Sequence, residues 1–161
     1  EWSEWQAEIS PDGRYTAYVT DQAGEERVYV HDFPVPAGQR SVSPAEGTDP
    51  RWAPDGRSIF YRQGTTFFEV DVTLEPSFSV GAPRELFDEP RYVASVGNSV
   101  VPNWDVHPDG DRFILTVVPA DAAASMTPEV QSSNPNDRLE DVYVVTDWFT
   151  ELLQLTGGEA R

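Results

Sequence analysis

The sequence predicts an all-β chain in which a four-stranded antiparallel sheet occurs three times. A Pro-Asp-Gly tripeptide recurs three times, short β-rich segments follow each occurrence, and helical periodicity is nearly absent. The 161 residues suffice for one ordinary domain. We therefore expect residues 1–161 to form a single segment whose units span about 5–47, 48–90 and 91–158.

Each Pro-Asp-Gly tripeptide is expected to form the turn of a β-hairpin. Proline presets φ, aspartate hydrogen-bonds to the nearby backbone, and glycine supplies a positive φ. A large apolar residue stands two positions before each proline, and a β-rich run follows each glycine. The tripeptides are Pro11-Asp12-Gly13, Pro54-Asp55-Gly56 and Pro108-Asp109-Gly110, and the apolar residues before them are Ile9, Trp52 and Val106.

Further β-rich runs complete the first two units. In the first unit, strands are expected at 15–19, 27–31 and 40–43. In the second unit, they are expected at 59–61, 66–72 and 85–87, with 76–83 as a connector without a strand. Together with the strand before each turn, these runs give four strands per unit.

The third unit is longer than the other two. Strands are expected at 113–118 and 141–146, and the Ala-, Ser-, Pro- and Asn-rich segment 120–136 between them is interpreted as an inserted loop. Residues 147–155 allow two interpretations: a short terminal helix with Asp147 as its N-cap, or a final strand.

Composition excludes several classes of function. The net charge is −17, whereas nucleic acids and anionic lipids attract basic surfaces. All eleven basic residues are arginine and cysteine is absent, which removes Schiff-base lysines, disulfides and thiolate metal sites. No apolar run approaches the roughly 20 residues of a membrane span. We expect no nucleic-acid partner and no membrane contact by this segment.

Sequence motifs for catalysis or cofactor binding are also missing. The chain contains no G-x-S-x-G elbow, no P-loop and no G-x-G-x-x-G fingerprint. His31 and His107 are the two histidines, and two imidazoles without a further nearby donor fall short of a zinc site. We predict no catalytic residue, no metal and no cofactor, and therefore a chain that is not an enzyme or is at most an accessory part of one.

Four-stranded antiparallel sheets repeated every 40 to 50 residues are typical of β-propeller blades. A closed propeller needs at least about four blades, so three form an arc with two open ends. Exposed sheet edges pair with whatever is available. The sequence thus predicts a partial β-propeller of three four-stranded blades, completed by another chain or by further blades.

The ordered motifs resemble the TolB-like, WD-like β-propeller repeat. The resemblance rests on segments 4–6, 10–14, 28–30, 50–52 and 54–57, on 105–110, which is similar to a closing blade, and on 144–152, which resembles the chain end of kinase-linked members. In bacteria this module is found in TolB, in propellers of some peptidases and in certain membrane-bound serine/threonine kinases. The resemblance implies the C-terminal part of a longer propeller, and it favours a location outside the cytoplasm.

Residues near the start of the second and third blades are candidates for a binding site. Asp49, Arg51, Asn103 and Asp105 precede the first strands of these blades, and such positions converge on the axis of a propeller if the innermost strand follows them. The alternative is that these residues merely cap strands. We expect the partner to be a protein or a peptide.

Aromatic residues at the two ends of the chain are candidates for an interface. Trp2 and Trp5 are expected at the open edge of the first blade, and Trp148, Phe149 and Leu152 at the opposite end. Buried aromatic residues are typical interface anchors. Two different adhesive ends on one arc would form a heterologous contact, which predicts either a homo-oligomer or contacts with further blades.

Three functions are compatible with these features. The first is a non-catalytic binding or scaffold module that recognises a protein or peptide. The second is a structural unit in which such arcs join into a closed dimer or a filament. The third is a regulatory or sensor domain of a serine/threonine kinase or a peptidase.

Overall fold

Twelve β-strands make up the regular structure of the described residues. The computed structural model describes residues 2–93, 102–110 and 112–117 and the backbone of 142–145. The strands are β1 (Glu4–Ile9), β2 (Tyr15–Thr20), β3 (Arg27–Asp32), β4 (Arg40–Ser41), β5 (Thr48–Trp52), β6 (Ser58–Gln63), β7 (Thr66–Thr73), β8 (Ser79–Val80), β9 (Arg84–Asp88), β10 (Trp104–Val106), β11 (Phe113–Thr116) and β12 (Val142–Val145).

The strands form three antiparallel sheets in chain order. The first sheet has the order β1-β2-β3-β4, the second begins β5-β6-β7, and the third has the order β10-β11-β12. In each sheet, neighbours in sequence are neighbours in space, as short hairpin connections require. This arrangement confirms the predicted all-β class and the strand pairing across each turn.

The second sheet differs from the prediction at its outer edge. Strand β7 has eight residues, and two short strands share its free side. One is β9, which pairs with the first half of β7, and the other is β8, which pairs with Val72 and Thr73. The prediction that 76–83 lacks a strand was therefore wrong, because β7 is long enough to leave an edge that the connector fills.

The three Pro-Asp-Gly turns have the same geometry. In each turn the glycine amide donates to the carbonyl of the residue before the proline, at 2.8 Å in all three cases. The glycine φ angles are 72°, 72° and 80° at Gly13, Gly56 and Gly110, a region that favours glycine. Residues at the same offset from the proline are therefore structurally equivalent in the three sheets.

Two apolar cores lie between the three sheets, one at each contact. Strand β6 contributes to both, because successive side chains point to opposite faces: Ile59 and Tyr61 enter the core shared with the first sheet, and Phe60 enters the core shared with the third. In the second core, the Phe67 ring lies 5.2 Å from Trp104 and 5.3 Å from Tyr92. The sheets therefore stack face to face as an arc.

The two tryptophans near the start of the sequence lie in different environments. Trp2 is exposed at the start of the chain, whereas Trp5 packs against the core between the first and second sheets. Pairing shifts by one residue between Trp5 and Glu8, a β-bulge that reverses which face Trp5 occupies. The expectation that Trp5 lies at the open edge was wrong for this reason.

Several predictions lie outside the described residues. These are the inserted loop 120–136, the helix or strand at 147–155, and the interface residues Trp148, Phe149 and Leu152. In the portions that the structure does describe, no helix is long and apolar enough to cross a membrane.

Truncating Phe67 tests the second core. Phe67→Ala removes a fully buried ring, so we expect the free energy of unfolding to fall by about 3–5 kcal/mol in urea denaturation. Thr73→Ala, at an exposed position of the same strand, is the matched control and should change stability by less than about 0.5 kcal/mol. Equal losses in the two variants would contradict the assignment of this core.

Candidate functional site

Two rows of residues at matching offsets from the prolines follow the first strands of the three sheets, with Asn103 one residue before β10. The polar row consists of the residues that stand five positions before Pro11, Pro54 and Pro108. They are Gln6, Asp49 and Asn103. The charged row consists of the residues that stand three positions before the same prolines. They are Glu8, Arg51 and Asp105.

The polar row begins with two strained backbone positions. Gln6 and Asp49 have φ angles of 53° and 54°, and they are the two non-glycine residues of the described chain with positive φ. Each lies in a β-bulge of its strand, where the pairing shifts by one residue. Such conformations persist only where surrounding interactions hold them, and they are common at functional sites.

Hydrogen bonds join these two positions across the gap between sheets. The Asp49 backbone amide donates to Gln6 Oε1 at 2.9 Å. In return, Gln6 Nε2 donates to Asp49 Oδ1. The amide of Gln6 thus satisfies both the backbone and the side chain of Asp49, and this pair of bonds fixes the first sheet against the second.

Arg62 completes this network from strand β6. Its Nε donates to Asp49 Oδ2, and its Nη1 donates to the Gly64 carbonyl at 2.9 Å. Its guanidinium carbon lies 5.3 Å from the centre of the Tyr92 ring, which belongs to the second core. The network therefore spans the arc from the first sheet to the residues that adjoin the third.

Burial governs the electrostatics of this network. Asp49 is fully buried, and burial raises the pKa of its carboxyl although the Arg62 charge opposes the shift. Burial also raises the pKa of Tyr92 to about 12. A buried carboxylate is stable only with a partner, so Asp49 depends on Arg62.

The charged row lies closer to the turns and is open to solvent at one end. Arg51 Nε lies 3.4 Å from Asp105 Oδ1, and the Arg51 guanidinium carbon lies 5.9 Å from the centre of the Trp104 ring. The Arg51 side chain is largely buried, whereas 69% of the Asp105 side chain is exposed. Arg51 thus joins the second sheet to the third and leaves carboxylate surface free on Asp105.

Glu8 is the third member of the charged row. Its Oε2 accepts the Trp52 backbone amide at 2.9 Å, and its backbone carbonyl accepts Trp52 Nε1 at 3.2 Å. Burial raises the pKa of the Glu8 carboxyl, the Trp52 amide and Arg51 lower it, and Asp105 raises it again. The charged row therefore consists of one guanidinium and two carboxylates, each contributed by a different sheet.

The structure brings together some of the predicted binding residues. Arg51 and Asp105 form an ion pair, Asp49 is buried in the polar row, and Asn103 Nδ2 donates to the Val93 carbonyl at 3.0 Å. Of the four, Asp105 offers most surface to a ligand. Their role in binding stays a prediction.

Gln6 and Glu8 complete the two rows, although neither was among the predicted binding residues. The signal was available in the sequence, because both residues stand at the same offsets from Pro11 as Asp49 and Arg51 do from Pro54. This region holds no candidate metal site: among residues that the structure describes, no three His, Asp or Glu side chains cluster closely enough.

The pH dependence of stability tests the burial of Glu8. Because the folded chain raises the pKa of this carboxyl, its contribution to stability is complete below about pH 4.5 and is lost as the pH rises through the folded-state pKa. Between about pH 4 and pH 7 we expect the free energy of unfolding to fall more steeply in the wild type than in Glu8→Gln, which keeps an acceptor for Trp52.

The control for this experiment is Glu4→Gln, which removes the same charge from an exposed position of the same strand. Urea denaturation at each pH gives the slopes. If Glu4→Gln flattens the slope as much as Glu8→Gln, general charge repulsion and not burial determines the pH dependence.

Removing Arg62 tests the buried network. Arg62→Met leaves the Asp49 carboxylate buried without its cation, so we expect a loss of about 3–5 kcal/mol in the free energy of unfolding. Arg57→Met, at a well-exposed position, should cost less than about 0.5 kcal/mol. Adding Asp49→Asn to Arg62→Met should restore part of the loss, and a cost no larger than that of Arg57→Met would refute the network's importance.

The sequence is similar to one curated protein over much of its length. No family model matches it. It is 28% identical over 125 residues to the uncharacterized peptidase YuxL of Bacillus subtilis (strain 168), an alignment that covers 68% of this chain and 16% of the relative. The chain thus spans about a sixth of the length of that relative.

The fold is similar to that of a solved β-propeller, oligogalacturonate lyase. Oligogalacturonate lyase from Vibrio parahaemolyticus matches 76% of this chain and 30% of its own, with a TM-score of 0.52 and 14% identity. TolB from Acinetobacter baumannii matches 71% of this chain and 27% of its own, with a TM-score of 0.49 and 19% identity. The likeness to the lyase concerns the fold alone, and together with the stacked sheets it confirms the prediction of a partial β-propeller.

Proposed function

We propose that this chain is a non-catalytic propeller module that binds a protein or peptide at the charged row. The row lies on the first strand of each sheet, and equivalent positions of three sheets converge there. The observation that carries the proposal is the ion pair of Arg51 with Asp105, which leaves most of the Asp105 side chain exposed. The charged groups are held on strands, which position a contact more firmly than loops do.

The chemistry of the row favours a basic group on the partner. Two carboxylates share one guanidinium, so the row carries excess negative charge, as does the chain as a whole. A partner's arginine or lysine can donate to the free oxygen surface of Asp105 in a charge-assisted hydrogen bond. Such bonds contribute about 1.5–3 kcal/mol, and the overall acidity would speed the approach of a basic segment.

The peptidase relative supports a second candidate, an accessory propeller of a peptidase. This candidate rests on the 28% identity to a protein named as an uncharacterized peptidase, of which this chain matches a small part. In this role the charged row would contact peptide on its way to a separate catalytic domain. A catalytic serine, histidine and aspartate elsewhere in the same gene product would favour this candidate over a free-standing binding module.

Peptide selection tests the binding proposal directly. A phage library of random dodecapeptides is selected on the immobilised chain, and we expect enrichment of peptides that carry arginine or lysine. Individual selected peptides are then titrated by fluorescence polarisation. Asp105→Asn should weaken their binding about tenfold or more, because it removes the exposed charge of the row.

The matched control is Asp55→Asn, which removes one charge from an exposed turn outside the row. Both variants have the same net charge, so nonspecific attraction to the acidic chain affects them equally. Selection without enrichment of basic peptides, or equal loss of binding in the two variants, would count against the charged row as the contact.

A further inference from the structure

The hydrogen bonds of the charged row leave one open oxygen on each of its two carboxylates. Asp105 Oδ1 accepts the Val106 backbone amide at 2.9 Å and also lies 3.4 Å from Arg51 Nε. Asp105 Oδ2 has no hydrogen bond or ion pair with the residues that the structure describes. Glu8 is similar, because its Oε2 accepts the Trp52 amide at 2.9 Å and its Oε1 has no partner in the described part of the chain.

The two common basic side chains place different demands on a carboxylate. Arginine gains its advantage when two parallel N–H groups of the guanidinium reach both oxygens of one carboxylate. Lysine carries a compact charge with three N–H donors, each of which can reach a separate oxygen. A carboxylate with one open oxygen therefore suits an ammonium, whereas it offers a guanidinium only half of its usual contact.

Arg51 increases this difference. Its side chain is largely buried beside the Trp104 ring, and its closest approach to Asp105 is at Oδ1. A second guanidinium that bound both oxygens of Asp105 would share Oδ1 with Arg51 and the Val106 amide, against the repulsion between like charges. An ammonium that binds Oδ2 needs no contact with Oδ1 and stays farther from the Arg51 charge.

The charges of the row leave room for one cation. When Glu8 and Asp105 are both ionised, they carry two negative charges against the one positive charge of Arg51. The Glu8 carboxyl interacts electrostatically with both other members of the row. One bound ammonium therefore neutralises the row, and its remaining N–H donors can bind water or a second open oxygen.

We infer that the charged row selects a lysine ammonium over an arginine guanidinium, and that Arg51 determines this selectivity by occupying Asp105 Oδ1. The inference rests on the proposed function, because it names which basic group of the partner the row accepts. The partner is then a protein or peptide with an exposed lysine. Arg51 is a specificity-determining residue that acts through Asp105.

Two blocked amino acids test the selectivity without a peptide library. Nα-acetyl-lysine amide and Nα-acetyl-arginine amide are titrated separately into the isotope-labelled chain. The NMR resonances of the Val106 and Trp52 amides report on the row, because these amides donate to its two carboxylates. We expect both resonances to shift, with an apparent Kd about threefold or more lower for the lysine probe.

The Arg57 amide is the matched control within the same sample. It donates to Asp55 Oδ1 at 2.9 Å, so it also reports on an exposed carboxylate, but one that lies outside the row. We expect its resonance to shift only at lysine concentrations about threefold or more higher, where general attraction to the acidic chain sets in. Equal titration of the Arg57 and Val106 amides would overturn the inference.

Arg51→Met tests the origin of the selectivity. Methionine keeps apolar contact with Trp104 and removes the cation from Asp105 Oδ1, so the arginine probe should now bind at least as tightly as the lysine probe. The thermal transition of the variant shows whether it folds. Continued preference for lysine in the folded variant would rule out Arg51 as the determinant.

A third probe tests the wild type without any substitution. Nα-acetyl-trimethyl-lysine amide keeps the positive charge but has no N–H donor on its ammonium, so it should bind about threefold or more weakly than the lysine probe. Equal binding of these two probes would show that charge alone governs the contact, and the inference would fail.

The outcomes separate this inference from the proposed function. If the lysine and arginine probes shift the row equally, or if the arginine probe binds more tightly, the row binds basic groups but the lysine selectivity is refuted. If neither probe shifts the Val106 or Trp52 amide, the row is not a site for basic groups, and both proposals fail.

Discussion

A β-sheet cannot bury either of its own faces, and this constraint organises the whole chain. Strand β6 makes the point most clearly, since Ile59 and Phe60 are adjacent in sequence and enter different cores. Both cores require a neighbouring sheet, so the second sheet is stable only between the other two. Within the described residues, the same constraint leaves Ile9 exposed on the outer face of the first sheet.

A buried network and a charged row that is exposed only at Asp105 lie next to each other along the first strands. Gln6, Asp49 and Arg62 hold the sheets at a fixed spacing and hold two strained backbone positions in place. Two residues further along, Arg51 and Asp105 meet across the next junction. The exposed carboxylate of Asp105 therefore lies on strands whose positions are fixed by hydrogen bonds. This limits the conformational entropy that is lost when a partner binds.

Local turn chemistry made much of the fold predictable. The Pro-Asp-Gly turns fix the hairpins, because each of the three residues acts on its own neighbours and needs no information from the rest of the chain. Strand β8 was not predictable in this way, since it forms on an edge that exists only after β7 has paired. The position of Trp5 depends on a bulge, and one extra residue reverses the facing of every side chain beyond it.

The sequence predicted where the candidate site lies better than it predicted which contacts its residues make. Their place near the first strands of the second and third blades indicated Asp49, Arg51, Asn103 and Asp105, but not that Asp49 would be fully enclosed and Asp105 open. That difference arises from Arg62 and Gln6, whose approach to Asp49 depends on how two sheets stack. Burial of a charge is a property of tertiary packing, and a single sequence does not specify which carboxylate will find a buried cation.

The constancy of the turn has an evolutionary consequence for the charged row. The backbone at each turn is set by proline and glycine, so the residue three positions upstream can differ between sheets while the turn keeps its geometry. Glutamate, arginine and aspartate already occupy that place in successive sheets. A lineage of such chains could diversify its preference for partners blade by blade, by single codon changes, while the scaffold that presents those side chains stays unaltered.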